Sequence, residues 1–188
     1  CPKTILIIMK IYTKKGDTGE TRMLFGDAVS KDDLAPDAYG SVDELVAALG
    51  LIRANTNLPI EVKETVLRIQ RELFIVGAEL ATTKENRKKL EPQKTLVEKK
   101  MILKLEEDID FLEEKNGIPE FFVVPGENEI SAKFDWARVV SRRAERKCVR
   151  WQRHLEITDS EVVVYLNRLS DLLWMLAREF DNDWTPSK

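Results

Sequence analysis

Residues 158–182 read Thr-Asp-Ser-Glu-Val-Val-Val-Tyr-Leu-Asn-Arg-Leu-Ser-Asp-Leu-Leu-Trp-Met-Leu-Ala-Arg-Glu-Phe-Asp-Asn. Val162, Leu166, Leu169, Leu173, Leu176 and Phe180 recur at alternating spacings of four and three, which is one apolar stripe of an α-helix. Thr158 and Glu161 stand at the spacing of a capping box, so the helix is expected to begin there. Working back along the chain, the same period appears four more times. Val42, Leu45, Leu49 and Ile52 mark a helix over about 37–54. Val62, Val66, Ile69, Leu73, Val76 and Leu80 mark one over about 59–82, with Pro59 suited to its first position. Ile102, Leu105, Ile109 and Leu112 mark one over about 95–116, with Thr95 and Glu98 as a second capping box and Gly117 as its stop. Ala137, Val140, Ala144, Cys148, Trp151 and Leu155 mark the last over about 130–155. Five long helices with near-heptad stripes predict an all-α, five-helix up-and-down bundle.

Composition bounds the alternatives. A chain of 188 residues is the length of one domain. Apolar residues make up 43% and charged residues 34%, too apolar for a disordered chain and too charged for a membrane protein. Only 8 Gly and 7 Pro argue against a turn-rich all-β fold. Thirty basic against 33 acidic residues, a net charge of −3, argue against a globally basic nucleic-acid binder. Cys1 and Cys148 form neither a disulfide framework nor a zinc pattern, which points to a reducing, cytoplasmic compartment. A single histidine, His154, cannot supply the two Glu-x-x-His pairs of a di-iron bundle. The apolar run Ile5–Ile11 is too short to span a membrane. Residues 1–9 read as an N-terminal extension, with Met9 as the natural start. Residues 10–36 read as an ordered ligand loop, residues 37–183 as the bundle, and residues 83–94 as a polar, mobile loop within it.

Four motifs carry chemistry. In Tyr12-Thr-Lys-Lys-Gly-Asp-Thr-Gly-Glu-Thr-Arg22, two glycines let the backbone aim successive N–H groups at one point, while hydroxyls and cations add donors suited to a polyphosphate. It is not a Walker A sequence, and on these residues alone a solvated turn competes with the phosphate reading. In Ala137-Arg-Val-Val-Ser-Arg-Arg-Ala-Glu-Arg146, the spacing puts Arg138, Arg142 and Glu145 on one helix face, about 130° from the apolar stripe. Arg143 and Arg146 continue the cationic surface, whose forked donors match phosphate. The competing reading is a solvated face of intrahelical ion pairs. In Asn167-Arg-Leu-Ser-Asp171, Asn167 and Asp171 share a polar face, open to a ligand or to an interhelical hydrogen bond. In Ala38-Tyr-Gly-Ser-Val-Asp-Glu-Leu45, Asp43 adjoins the core position Val42. A partly buried carboxylate there needs a partner, for which Arg138 is a candidate; on these residues alone Asp43 could equally be a first-turn acid favouring the helix dipole.

In this order, with Pro125-Gly126 before the arginine helix, the four motifs resemble the PduO-type ATP:cob(I)alamin adenosyltransferases over about Lys10–Phe180. The resemblance implies a homotrimer with active sites between subunits, and transfer of the 5′-deoxyadenosyl group of ATP to cob(I)alamin with release of triphosphate. It implies that ATP is held by Thr13, Lys14, Lys15, Gly16, Thr21, Arg22 and Lys31 of one subunit, and by Arg142, Arg143, Glu145, Arg146 and Asn167 of its neighbour. By the same resemblance Arg142 is the catalytic arginine, Asp43 and Arg138 form a structural salt bridge, and Phe122 packs on the corrinoid side. Mg²⁺ is the implied counter-ion of the phosphates, and a reductase and a B12-dependent mutase are implied partners. Nucleic acid and membrane are not expected as partners. A non-enzymatic carrier of corrinoid or nucleotide on the same bundle is the alternative. Two positions depart from the family pattern: Glu127 where a second glycine is common, and Asp135 where histidine is common.

Overall fold

The computed structural model describes Tyr12 and residues 14–188. The expected extension at 1–9, the apolar run Ile5–Ile11 and Thr13 fall outside the described residues. The described chain forms a two-stranded antiparallel hairpin, β1 (Glu20–Arg22) and β2 (Ala28–Ser30), followed by five α-helices. These are α1 (Leu34–Arg53), α2 (Ile60–Leu80), α3 (Lys99–Asn116), α4 (Glu129–His154) and α5 (Val162–Glu179). The fold expectation is met: the stripe residues Leu45, Leu49, Ile69, Leu73, Leu105, Val140, Ala144, Trp151, Leu166 and Leu169 all lie in one buried core. No described helix is long and apolar enough to cross a membrane.

Chain order does not give the packing order. α4 packs on both α1 and α5, α2 packs on α1, and α3 packs on α5. Arg68 of α2 donates to Asp108 of α3 (2.5 Å) and Tyr165 of α5 to Glu72 of α2 (2.8 Å), which closes the bundle. The connection between α2 and α3 is held by a buried carboxylate. Glu79 is fully buried and accepts from the Val97 amide (2.8 Å), the Ser160 hydroxyl (2.7 Å) and Arg87 (3.1 Å). Arg87 also donates to Asp159 (3.0 Å). The mobile loop expected over 83–94 is thus corrected. Its first half is a 3-10 helix, Lys84–Lys89, carrying a buried arginine, and Asn86 ties it to Asp27 of the hairpin (2.5 Å).

Helix boundaries moved where local hydrogen bonding found another partner. α1 starts three residues early, since Pro36 in a first turn blocks no needed N–H. Pro59 is the residue before α2 rather than its first. The Thr95–Glu98 box does not form: the Thr95 hydroxyl accepts from the Glu91 amide (2.8 Å), and α3 begins at Lys99. The Thr158–Glu161 box does not form either. α5 starts after Glu161, next to Ser160, whose hydroxyl serves Glu79. The capping box that does exist starts α4, where Asn128 accepts from the Ile130 and Ser131 amides (2.9 and 3.0 Å). Gly117 ends α3 at φ +72°, where a side chain would be strained.

Candidate functional site

The N-terminal motif folds as a turn leading into the hairpin. Lys14 (φ +61°) and Gly19 (φ +88°) reverse the chain, and the Gly19 amide donates to the Gly16 carbonyl (3.2 Å). Lys31, just past β2, closes the loop. Its ammonium donates to the Gly16 carbonyl (2.7 Å) and its backbone N–H to Gly19 (2.8 Å). A Cβ on residue 16 would meet the Lys31 ammonium at 3.1 Å and the Glu20 carbonyl at 3.3 Å, so any side chain there crowds the Lys31 contact. The tip is fixed by buried Met23 and by the Leu24 amide donating to Ala81 at the end of α2 (2.8 Å). Arg22 donates to Gly26 (2.8 Å). The result is a hollow of about 620 Å³ lined by Lys15, Gly16, Glu20, Thr21, Arg22, Ala28 and Lys31. Of the loop residues expected to hold ATP, all described ones except Lys14 line it.

The second cationic surface is on α4 and does not line this hollow. Ala137, Val140, Ala144 and Cys148 pin the helix to the core and turn the arginines outward. Arg143 pairs with Glu44, and Lys147 with Asp37 (2.5 Å), both on α1. These two acids stand seven apart and the two bases four apart, a matched pair of helix faces whose spacing was readable in sequence. Asn167 of α5 donates to Glu145 (3.3 Å), which joins two of the expected ATP residues. Arg142 and Arg146 are exposed and have no ion-pair or hydrogen-bond partner among the described residues. Cys148 lies on the opposite, buried side. Burial, aided by the Glu145 charge, pushes its thiol up to about 12, so it is not a nucleophile.

Within one chain, then, the structure gathers the expected residues into two separate groups, one on the hairpin and one on α4 and α5. The expected Asp43–Arg138 salt bridge does not form within the chain. Asp43 is exposed rather than half-buried, and Arg138 Nε donates to Asp135 (3.0 Å). The reason is proximity: Asp135 is one helical turn away on the same helix. Phe122 is 86% exposed, in an extended segment whose backbone pairs with the C-terminal residues. The Val124 amide donates to Thr185 (2.9 Å) and the Ser187 amide to Phe122 (2.8 Å).

An exposed phosphate-type loop, a separate unpaired arginine face and a bare phenylalanine on one helical bundle are the arrangement to compare with known proteins. Residues 11–180 match the family model described as cobalamin adenosyltransferase. The chain belongs to the cobalamin adenosyltransferase family. It is 38% identical over 169 residues to a corrinoid adenosyltransferase of Citrobacter freundii, covering 90% of this chain and 93% of that one. It is 37% identical over 172 residues to the corrinoid adenosyltransferase MMAB of Homo sapiens, covering 91% of this chain and 68% of that one. Among solved structures it resembles a variant PduO-type ATP:corrinoid adenosyltransferase from Lactobacillus reuteri complexed with cobalamin and ATP. There the TM-score is 0.81 at 33% identity, with 90% of this chain and 89% of that chain covered.

Proposed function

We propose that this protein transfers the 5′-deoxyadenosyl group of ATP to the cobalt of cob(I)alamin, giving adenosylcobalamin and triphosphate. The observation that carries the reading is the pair Arg142 and Arg146, exposed and unpaired while Arg143 and Lys147 between and beyond them are paired to α1. Two unpaired guanidinium groups on a structured helix are a receptor waiting for an anion. The second support is the separation of the two cationic groups in one chain. A homotrimer that sets the hairpin of one copy against α4 of the next completes the site. Lys14, Lys15, Gly16, Thr21, Arg22, Lys31 and Thr13 then hold ATP from one side, and Arg142, Arg143, Glu145, Arg146 and Asn167 from the other. In that assembly the exposed Asp43 of one copy meets Arg138 of the next, which restores the salt bridge between chains.

The chemistry asks little covalent work of the protein. The cobalt electron pair attacks the 5′-carbon, the Co–C bond forms, and the C–O bond to triphosphate breaks. The protein orients the 5′-carbon and stabilises the charge left on triphosphate, with Arg142 in that catalytic role. Phe122 presents an apolar face to the corrinoid and keeps a lower ligand away. No group of three or more His, Cys, Asp or Glu able to hold a metal occurs among the described residues. Mg²⁺, carried in with ATP, would supply charge neutralisation on the triphosphate, beside Lys15, Arg22, Arg142 and Arg146. A cytoplasmic setting with a reductase upstream and a B12-dependent mutase downstream completes the proposal.

The test is an anaerobic assay with ATP and chemically reduced cobalamin. The expected result is one adenosylcobalamin and one triphosphate per turnover. Arg142→Ala is expected to keep the wild-type melting temperature and to lose roughly a hundredfold in kcat. Tight ligand binding without triphosphate release would make the protein a carrier and overturn the reading. Full turnover by Arg142→Ala would remove its assigned role, and a monomer by light scattering at assay concentration would overturn the two-chain site.

A further inference from the structure

Asp135 is 4% exposed and lies between two arginines. One carboxylate oxygen accepts from Arg178 of α5 (2.6 Å), the other from Arg138 Nε (3.0 Å). Arg178 is 2% exposed, and its Nε donates to Asp181 (2.6 Å), whose side chain is 1% exposed. A buried chain of charges, Asp181–Arg178–Asp135–Arg138, thus runs from the end of α5 to the arginine face of α4. Two acids and two bases balance, so each buried charge has a counter-charge. Arg138 is the one member that reaches solvent, with its side chain 25% exposed. Asp135 takes its Nε, and both terminal nitrogens have no partner among the described residues. Arg138 stands one turn before Arg142 on α4, about 6 Å along the helix axis.

We propose that Asp135 is a positioning residue for the transfer reaction. It clamps Arg138 by one nitrogen and leaves the terminal pair, one turn before Arg142, for the Asp43 that the assembled site brings from the next copy. A free arginine side chain samples many rotamers, and ordering it on binding has an entropic cost. Asp135, itself locked by Arg178, fixes Arg138 before the substrates arrive. Arg178 and Asp181 act one step further back, by holding Asp135 still. The inference rests on the adenosyl-transfer reading given above, and the experiment separates the two.

The experiment is a double-mutant cycle on adenosylcobalamin formation, using wild type, Asp135→Asn, Arg138→Gln and the double variant. Each is assayed well below its own melting temperature. If Asp135 works through Arg138, each single variant loses tenfold or more in kcat and the double loses no more than the worse single. The KM for ATP stays within threefold, because the triphosphate is held elsewhere. Asp135→Glu, which keeps the charge, recovers part of the lost kcat. Losses that multiply in the double variant, or a wild-type kcat in Asp135→Asn, would overturn the inference. A protein inactive as wild type would instead sink the functional reading itself. Should Asp135→Asn fail to fold, Arg138→Gln with Arg178→Lys forms the same cycle and is judged by the same criterion.

Discussion

Replacing Glu79 by alanine is expected to be the most destabilising single change to a charged residue outside the site. The carboxylate is fully buried and accepts three hydrogen bonds, from Ser160 and Arg87 on Oε1 and from Val97 on Oε2. Alanine leaves the Val97 N–H and the Ser160 hydroxyl without an acceptor, at about 1–3 kcal/mol each. It also takes the buried partner from Arg87, whose side chain is only 8% exposed and which keeps the solvent-facing Asp159. Removing one partner of a buried pair costs about 3–5 kcal/mol when nothing compensates. The losses overlap, because the freed groups reach water together once the connection loosens, so the expected total is about 4 kcal/mol. For a chain of this length that is a fall of about 8–16 °C in melting temperature. Glu79→Gln keeps the shape and one acceptor but turns an NH₂ toward a donor, and is expected to cost about half as much. The assay is differential scanning calorimetry of wild type, both variants and the pair Glu79→Leu with Arg87→Met, which removes both charges. The paired change should recover part of the loss, since apolar groups of similar volume can replace a buried ion pair. A Glu79→Ala protein melting within 2 °C of wild type would refute the reasoning. So would a double variant less stable than Glu79→Ala alone.

Two further outcomes are expected. Gly16→Ala pushes a methyl against the Lys31 ammonium and the Glu20 carbonyl, so ATP affinity measured by calorimetric titration should fall several-fold while the melting temperature moves little. An unchanged affinity would separate this turn from the ATP site. The second concerns alkaline pH. Burial lifts the Cys148 thiol from 9.0 to about 12, so the folded state keeps a proton that the unfolded chain loses above pH 9. The unfolded state then binds fewer protons, and stability falls as pH rises from 9 toward 12, by about 1.4 kcal/mol per pH unit from this group. Urea unfolding at pH 8, 9, 10 and 11 should show a shallower decline for Cys148→Ala than for wild type. Parallel declines would refute the assignment.

The helical class, the five stripes and the polarity of each helix were legible in sequence because burial of a periodic apolar face is a local property. The residues of both cationic groups were legible for the same reason: Arg138, Arg142 and Glu145 share a face by spacing alone, and Gly16 and Gly19 mark a turn. Capping was less legible. Thr95, Thr158 and Asn128 are all competent cap residues, and which of them caps depends on what else is within reach of the hydroxyl or amide.

Only the tertiary structure decided the rest. It set α1 and α5 on either side of α4, and anchored the polar segment 84–97 on Glu79. It gave Arg138 to Asp135 and left Asp43 exposed. It also kept the hairpin hollow apart from the α4 arginines within one chain. Apart from Arg138–Asp135, one turn apart on α4, these are relations between distant residues, in which one charge has several partners of equal local merit. Sequence spacing ranks neighbours on one helix, whereas desolvation, which makes a buried charge take whichever counter-charge the packing brings to it, depends on the whole fold.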